Sequence, residues 1–412
     1  MRARPAATLI ALLLLVVGGC SKGEPDTPAA RRAREREAVE RIRVEVARVR
    51  GLAWKAPLDV HIVSRSELRR RLQEITARDA RPERDESDEA ILKLLKLIPE
   101  DLVLDTAIDK LLGAQIVGFY DPKTKQLYVA GEPDGKLSAA TKVTVAHELD
   151  HALTDQHYDF GAVTRFLEDA DRSEELFAYT ALVEGDAVLL QSLWAQRYLG
   201  DGSQGSLGAE LSNSGPDGVP RYLQDALVFP YTKGLEFAFD RYRTTRSFSA
   251  VDAAWRRRPT SSEEILHPER YSEGQEWHAP ELPDLGATGC RAVRSGTLGE
   301  FDMRELLDRF LSERDANRAA DNWAGDAFQF LRCDTTPAFV ERWTADDEVG
   351  ADRLTIALER WARAWSGGRP PNGDGYFSGP DGAGRVRRTG AAVDLVLAAD
   401  KATADRLGGV LG

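Results

Sequence analysis

The chain reads as an α+β protein, with a mainly helical N-terminal unit holding a small mixed sheet and a smaller C-terminal α+β unit. Three observations predict this. Most of the first 280 residues fall into helical segments, while two β-rich runs, Ile116–Tyr120 and Gln126–Ala130, flank a turn at 121–125. The Pro- and Gly-rich stretch Trp277–Gly289 interrupts that pattern, and beyond it helices are interspersed with short apolar strands. At 412 residues, 42% hydrophobic and 30% charged, the chain can bury a large core in two or three folding units and is no disordered protein.

The first residues are set apart. Met-Arg-Ala-Arg, the apolar run Leu9–Val17 and then Gly18-Gly19-Cys20 have the three regions of a secretory signal, covering residues 1–19. The apolar run is too short to span a bilayer. Val17-Gly18-Gly19-Cys20 resembles the bacterial lipobox, after which Cys20 would carry lipid. Residues 20–30, with Pro25 and Pro28 and no apolar period, read as a tether. No later stretch reads as long and apolar enough to cross a membrane. The expected location is therefore the cell envelope, lipid-anchored to a bacterial membrane and facing the periplasm or exterior.

A formal charge of -12 argues against nucleic acid as a partner, because phosphate binding wants a basic face. The Arg-rich run 30–50 is interleaved with Glu35, Glu37, Glu40 and Glu45, and so reads as a solvated helix laced with ion pairs; attraction of its arginines to a membrane surface is the alternative. Besides Cys20 there are only Cys290 and Cys333, candidates for a disulfide in an oxidising compartment, although sequence alone does not show that they meet. With no CxxC spacing they are poor zinc ligands.

The remaining elements follow in order. After the charged helix ending near Arg50 come a strand, Leu58–Val63, and a helix from Ser66 through Thr76. Arg78–Glu89 reads as a loop or an exposed helix start, followed by helices at Ile91–Leu97 and Leu102–Leu112. The hairpin comes next. Ser138 is a suitable N-cap for a helix from Ala139 to about Gln156. A second long helix, from about Ser173 to Tyr198, is apolar over most of its length and expected to be buried. Gly, Ser, Asn and Pro mark 201–220 as a surface loop; helices are expected at Leu223–Tyr242 and Ala250–Arg257, then the segment Ile265–Tyr271. The C-terminal unit, 290–412, is expected to hold a helix around Met303–Ser312, a strand Ala327–Cys333, a helix Gly350–Trp365 and a last strand Ala391–Ala398.

The helix at 139–156 carries His147-Glu148-Leu149-Asp150-His151. Residues four apart on a helix project from one face about one turn apart, so His147 and His151 can share a metal. Two imidazoles at this spacing suit Zn2+. Glu148, beside the first ligand, is placed to take the proton of a water that the metal has acidified. Two residues compete as third ligand. His157 has the spacing of HExxHxxGxxH, but that pattern needs Gly at 154 to turn the chain, and Thr154 is β-branched and resists positive φ. Glu184 sits mid-way along the apolar second helix, where a carboxylate is costly to bury unless paired or bound to metal. Glu184 is preferred, and two histidines with one glutamate leave a fourth zinc position open.

HELDH followed by a helical Glu resembles the gluzincin branch of the zincin metallopeptidases. More closely, GFYDPKTKQLYVAG (118–131), VAHELDHALTDQHYDF (145–160), ALVEGDA (181–187) and ILHPERY (265–271) resemble a largely uncharacterised group of bacterial HExxH proteins, over about Val49 to Trp323. The resemblance implies a zincin-like metallopeptidase domain over 31–280, a Zn2+ cofactor and a protein or peptide substrate. It also implies that strand Gln126–Ala130 is a sheet edge that holds a peptide by strand addition. An oxyanion-stabilising Tyr or His is implied as well, with His267 ahead of Tyr231 and Tyr271. The chain departs from the thermolysin-like pattern at Val188, where an Asp that orients a ligand histidine would stand; Asp186 and Asp150 are the substitutes to consider. His61 and His278 have no partner pattern. The expected function is a membrane-anchored zinc peptidase with Glu148 as general base. The alternatives are a non-catalytic zincin-like envelope lipoprotein serving as a binding or assembly module, and a zinc hydrolase acting on something other than protein.

Overall fold

The structure is a computed structural model that describes residues 26–112, 116–200 and 218–411. The signal segment, Cys20 and the start of the tether lie outside the described residues, as does most of the 201–220 loop. The protein is α+β. Among the described residues there are fifteen α-helices and two sheets, of three and six strands.

Helix α1 (Pro28–Arg50) is capped by the Thr27 side chain and closed by Gly51 in the left-handed region at φ 74°. It is only partly the solvated helix expected. Glu35, Val39, Ile42, Val46 and Arg50 fall three or four apart on one buried stripe, and the exposed ion pairs, such as Arg41–Glu37 and Arg43–Glu40, occupy the other faces. Strand β1 (Asp59–Val63) leads into α2 (Arg65–Asp79), which the Ser64 side chain caps. The stretch read as a loop or helix start holds most of α3 (Pro82–Leu94), which begins on Pro82 at a first-turn position where proline costs nothing. Helix α4 (Leu104–Leu112) precedes the hairpin of β2 (Gly118–Asp121) and β3 (Gln126–Ala130).

In the three-stranded sheet β3 pairs antiparallel with β2 and parallel with β1, so the order is β1-β3-β2. Gln126–Ala130 is therefore the central strand and not a sheet edge. The long return from β1 through α2–α4 brings β1 onto the flank of β3 that a lone hairpin would leave open. Among the described residues no strand pairs with the other flank of β2.

Helix α5 (Ala139–Tyr158) starts on the Ser138 cap and runs on to Asp159, whose left-handed φ of 48° turns the chain directly into α6 (Phe160–Asp169), a helix the sequence reading missed. Helices α7 (Ser173–Tyr198), α8 (Arg221–Thr245), α9 (Ser249–Arg256), α10 (Ser262–Leu266) and α11 (Pro268–Glu273) complete the N-terminal unit. By length and hydropathy α7 could cross a membrane, contrary to the reading of the sequence; 67% of its most apolar window is buried, as befits the central helix of a core. Leu182, Leu190 and Trp194 of α7 pack there with Leu149 and Leu153 of α5 and Val46 of α1.

The C-terminal unit comprises β4 (Cys290–Gly296), α12 (Gly299–Asp308), α13 (Glu313–Ala320), β5 (Trp323–Cys333), β6 (Thr336–Ala345), α14 (Glu348–Trp365), β7 (Tyr376–Gly379), β8 (Gly382–Thr389), β9 (Ala392–Ala398) and α15 (Lys401–Leu411). Its sheet is antiparallel throughout, in the order β4-β5-β6-β9-β8-β7. Cys290 and Cys333 face each other across β4 and β5 and form a disulfide, with Cα atoms 4.2 Å apart. The units interlock. Ile91, Leu95 and Leu97, in and after α3, enter the C-terminal core, and Phe301 of α12 enters the N-terminal one against Phe177 and Phe229.

Candidate metal centre

Helices α5 and α7 pack side by side, and their facing turns carry the candidate ligands. His147 and His151 leave α5 one turn apart; Glu184 meets them from α7, with Oε2 3.2 Å from His147 Nε2 and 3.4 Å from His151 Nε2. The two Nε2 atoms are 2.9 Å apart. Ligands about 2.0–2.1 Å from a tetrahedral ion lie roughly 3.3 Å from one another, which these spacings approach. Two imidazole nitrogens and a carboxylate oxygen turned on one point share lone pairs there, and a cation is what such a set satisfies. His147, His151 and Glu184 thus form a group able to hold a metal ion.

Electrostatics point the same way. Burial opposes charge on His151, but Glu184 overrides it and the imidazole is pushed up to about 9. Glu184 is held far below the usual carboxylate range: burial works against this, and His151 and His147 outweigh it. Below about pH 9 the His151 imidazole is charged, with the Glu184 carboxylate as its counter-ion. Metal binding is expected to release the imidazole proton, so affinity should climb with pH towards about 9 and level off above it. Calorimetric titration with Zn2+ in buffers of differing ionisation enthalpy counts the protons; binding with no proton release below that pH would contradict the assignment.

His157 does not join the group. Thr154 stays helical, its hydroxyl donating to Asp150 O at 2.8 Å, and His157 Nε2 pairs with Ala53 O at 2.8 Å near the surface. The left-handed turn that a third histidine would need comes only at Asp159.

Glu148 is half-buried, and its Oε2 accepts the Tyr120 backbone N–H at 2.9 Å. Burial raises its carboxyl above the ordinary range, the two histidines pull it down, and Glu184 adds to the rise. This places the carboxylate between the metal ligands and the open flank of β2. Gly118 helps, since a Cβ there would press on Tyr128 O at 3.0 Å and approach Glu148 Cγ at 3.8 Å.

The structure sends His267 elsewhere. Its Nε2 lies 3.1 Å from Glu300 Oε1 and 3.5 Å from Asp321 Oδ1, on the side of α10 and α11 that faces the C-terminal unit. His267, Glu300 and Asp321 are a second group able to hold a cation. Arg304 already supplies one, with Nε 2.9 Å from Glu300 Oε1 and Nη2 3.2 Å from His267 Nε2. Tyr231 of α8, the second choice in the sequence reading, lies beside the group instead. Its ring stacks on His147 with centroids 6.2 Å apart, and Glu184, then burial, drive its hydroxyl pKa well up. Tyr271 is buried in the core and donates to Arg257 O at 2.6 Å. His61 stacks on Tyr128 of β3.

Neither Asp186 nor Asp150 orients a ligand histidine. Both turn to Arg50, a buried residue the sequence reading passed over, and among the described residues His151 Nδ1 has no hydrogen-bond partner. A second omission is the crossing of α7 and α8. They meet at Gly185 and Gly234, and a Cβ on Gly234 would sit 3.2 Å from Gly185 Cα. The crossing lies one residue from Glu184 and three from Tyr231.

Residues 288–408 match the family model of a Domain of unknown function (DUF8575). The matched segment is the C-terminal unit, and it contains none of His147, Glu148, His151 and Glu184. Nothing among curated proteins or solved structures matches the chain.

Proposed function

We propose that the protein is a zinc-dependent peptidase. The observation that carries the reading is the convergence of His147, His151 and Glu184 on one point with the Glu148 carboxylate beside it. Zn2+ held there would acidify a water molecule and polarise the scissile carbonyl. Glu148 takes the proton of the attacking water and passes it to the leaving amine. Tyr231, whose hydroxyl keeps its proton far above neutral pH, donates a hydrogen bond to the developing oxyanion.

The peptide is positioned by β2. In an antiparallel pair alternate residues turn their backbone groups off the partner; Tyr120 is one, as its N–H bond to Glu148 attests, and Gly118 is the next on that side. An extended substrate can add to this edge in front of Glu148, which favours a peptide over other hydrolysable substrates. The lipid anchor at Cys20 would hold the enzyme on a bacterial membrane facing the periplasm or exterior, where the Cys290–Cys333 disulfide can form.

Metal analysis together with cleavage of casein or a peptide library tests this. One Zn2+ per chain is expected, with activity lost on chelation and restored by stoichiometric Zn2+. Zn2+ bound without cleavage of any peptide would leave the non-catalytic binding module as the reading, and no Zn2+ bound would remove both.

A further inference from the structure

We infer that Arg50 is a positioning residue, the clamp that sets the register of the two ligand-bearing helices; this rests on the metal-site reading above. Arg50 ends α1, and its side chain is fully buried. Nη2 lies 2.9 Å from Asp186 Oδ2, Nε 3.7 Å from Asp150 Oδ1 and Nη1 2.7 Å from Asp252 Oδ1. One guanidinium thus joins α5, α7 and α9. The attachment points on α5 and α7 are close to the ligands. Asp150 precedes His151, and Asp186 follows Glu184 by two residues.

On a helix that rises about 1.5 Å per residue, both anchors are within roughly 3 Å of a ligand along the axis. A slip of α7 against α5 that would break the Glu184 contacts must therefore also break Arg50's grip. The clamp is fixed in turn: Phe248 lies under the guanidinium with 4.4 Å from Cζ to the ring centroid, Trp255 Nε1 donates to Asp186 Oδ2 at 2.6 Å, and Tyr158 donates to Asp252 at 2.8 Å. Among the described residues none of these side chains hydrogen-bonds to His147 or His151. The metal geometry is controlled at the helix backbones, upstream of the imidazoles.

Arginine suits the task because a planar fork can serve three carboxylates at once, whereas lysine offers a single point charge. The test compares the arms. Asp186→Asn keeps the shape and the acceptor for Trp255 but removes the ionic arm to α7, and Arg50→Lys removes the fork. Each is expected to weaken Zn2+ and Co2+ affinity by about 10- to 100-fold in protein that circular dichroism reports as folded, and to change the Co2+ absorption spectrum. Asp252→Asn cuts the arm to α9, which carries no ligand; it is expected to lower Tm with metal affinity unchanged. Equal loss of affinity in Asp252→Asn and Asp186→Asn would mean general loosening and overturn the inference, as would wild-type affinity in folded Arg50→Lys and Asp186→Asn. If the wild-type protein binds no Zn2+, the metal-site reading itself falls and the clamp with it.

Discussion

Glu148→Gln is expected to lower peptide turnover by about 10²- to 10⁴-fold, the contribution of a positioned general base, while Zn2+ affinity stays near that of the wild type. The amide is isosteric and its oxygen can still accept the Tyr120 N–H now bonded at 2.9 Å, so β2 and α5 keep their spacing. None of the three converging donors is altered. What is lost is the capacity to take a proton. Steady-state cleavage and metal titration on the same preparation separate the two effects. A variant that retains turnover would deny Glu148 its role as base, and one that loses Zn2+ as well would show the residue to be structural.

Gly185→Ala is expected to destabilise the fold by about 3 kcal/mol or more, at the upper end of what overpacking costs. On an exposed helix the same change would usually stabilise by reducing the freedom of the unfolded chain. Here the sign reverses, because the new Cβ would lie against Gly234 O far closer than the 3.0 Å that real Cβ atoms respect. The obstacle is backbone, so no side chain can swing aside. Helices α7 and α8 must separate, carrying Glu184 away from His147 and the Tyr231 ring off the imidazole. Urea unfolding is the measurement, and a stability equal to the wild type would contradict the close crossing.

The core of the site was legible because local rules agreed there. Ser138 capped a helix whose motif spacing set two histidines on one face, and Glu184 stood out as a carboxylate in an apolar run. His157 could be set aside from Thr154 alone. The misreadings share a different cause, which is long-range pairing. Nothing local in Gln126–Ala130 announces that β1, more than sixty residues earlier, will cover its free flank. His267 was read by its residue type, yet its partners Glu300 and Arg304 belong to the other unit. Arg50 was hidden in plain charge: with arginines at 41, 43 and 48 around it, only the stripe through Val39, Ile42 and Val46 marks it as inward. In the C-terminal sheet, β8 carries Arg385, Arg387 and Arg388 with only Val386 as a sizeable apolar residue, so its charge masked a strand in which Ala383, Gly384 and Val386 are buried. At α6 the chain reverses on a single residue, Asp159, leaving no run of turn-forming residues to mark a new helix.

The interlocked cores bear on how this chain can be cut. Severing it ahead of residue 288 would isolate the segment that matches a family by sequence, and would strip Ile91, Leu95 and Leu97 from the face of its sheet. The remainder would lose Phe301 from between Phe177 and Phe229. Each fragment would bare an apolar wound where the other had been, and both would be prone to stick. The unit of sequence kinship and the unit of folding therefore have different borders, and the helices of the candidate metal centre and the disulfide-stapled sheet are best expressed, purified and denatured as one body.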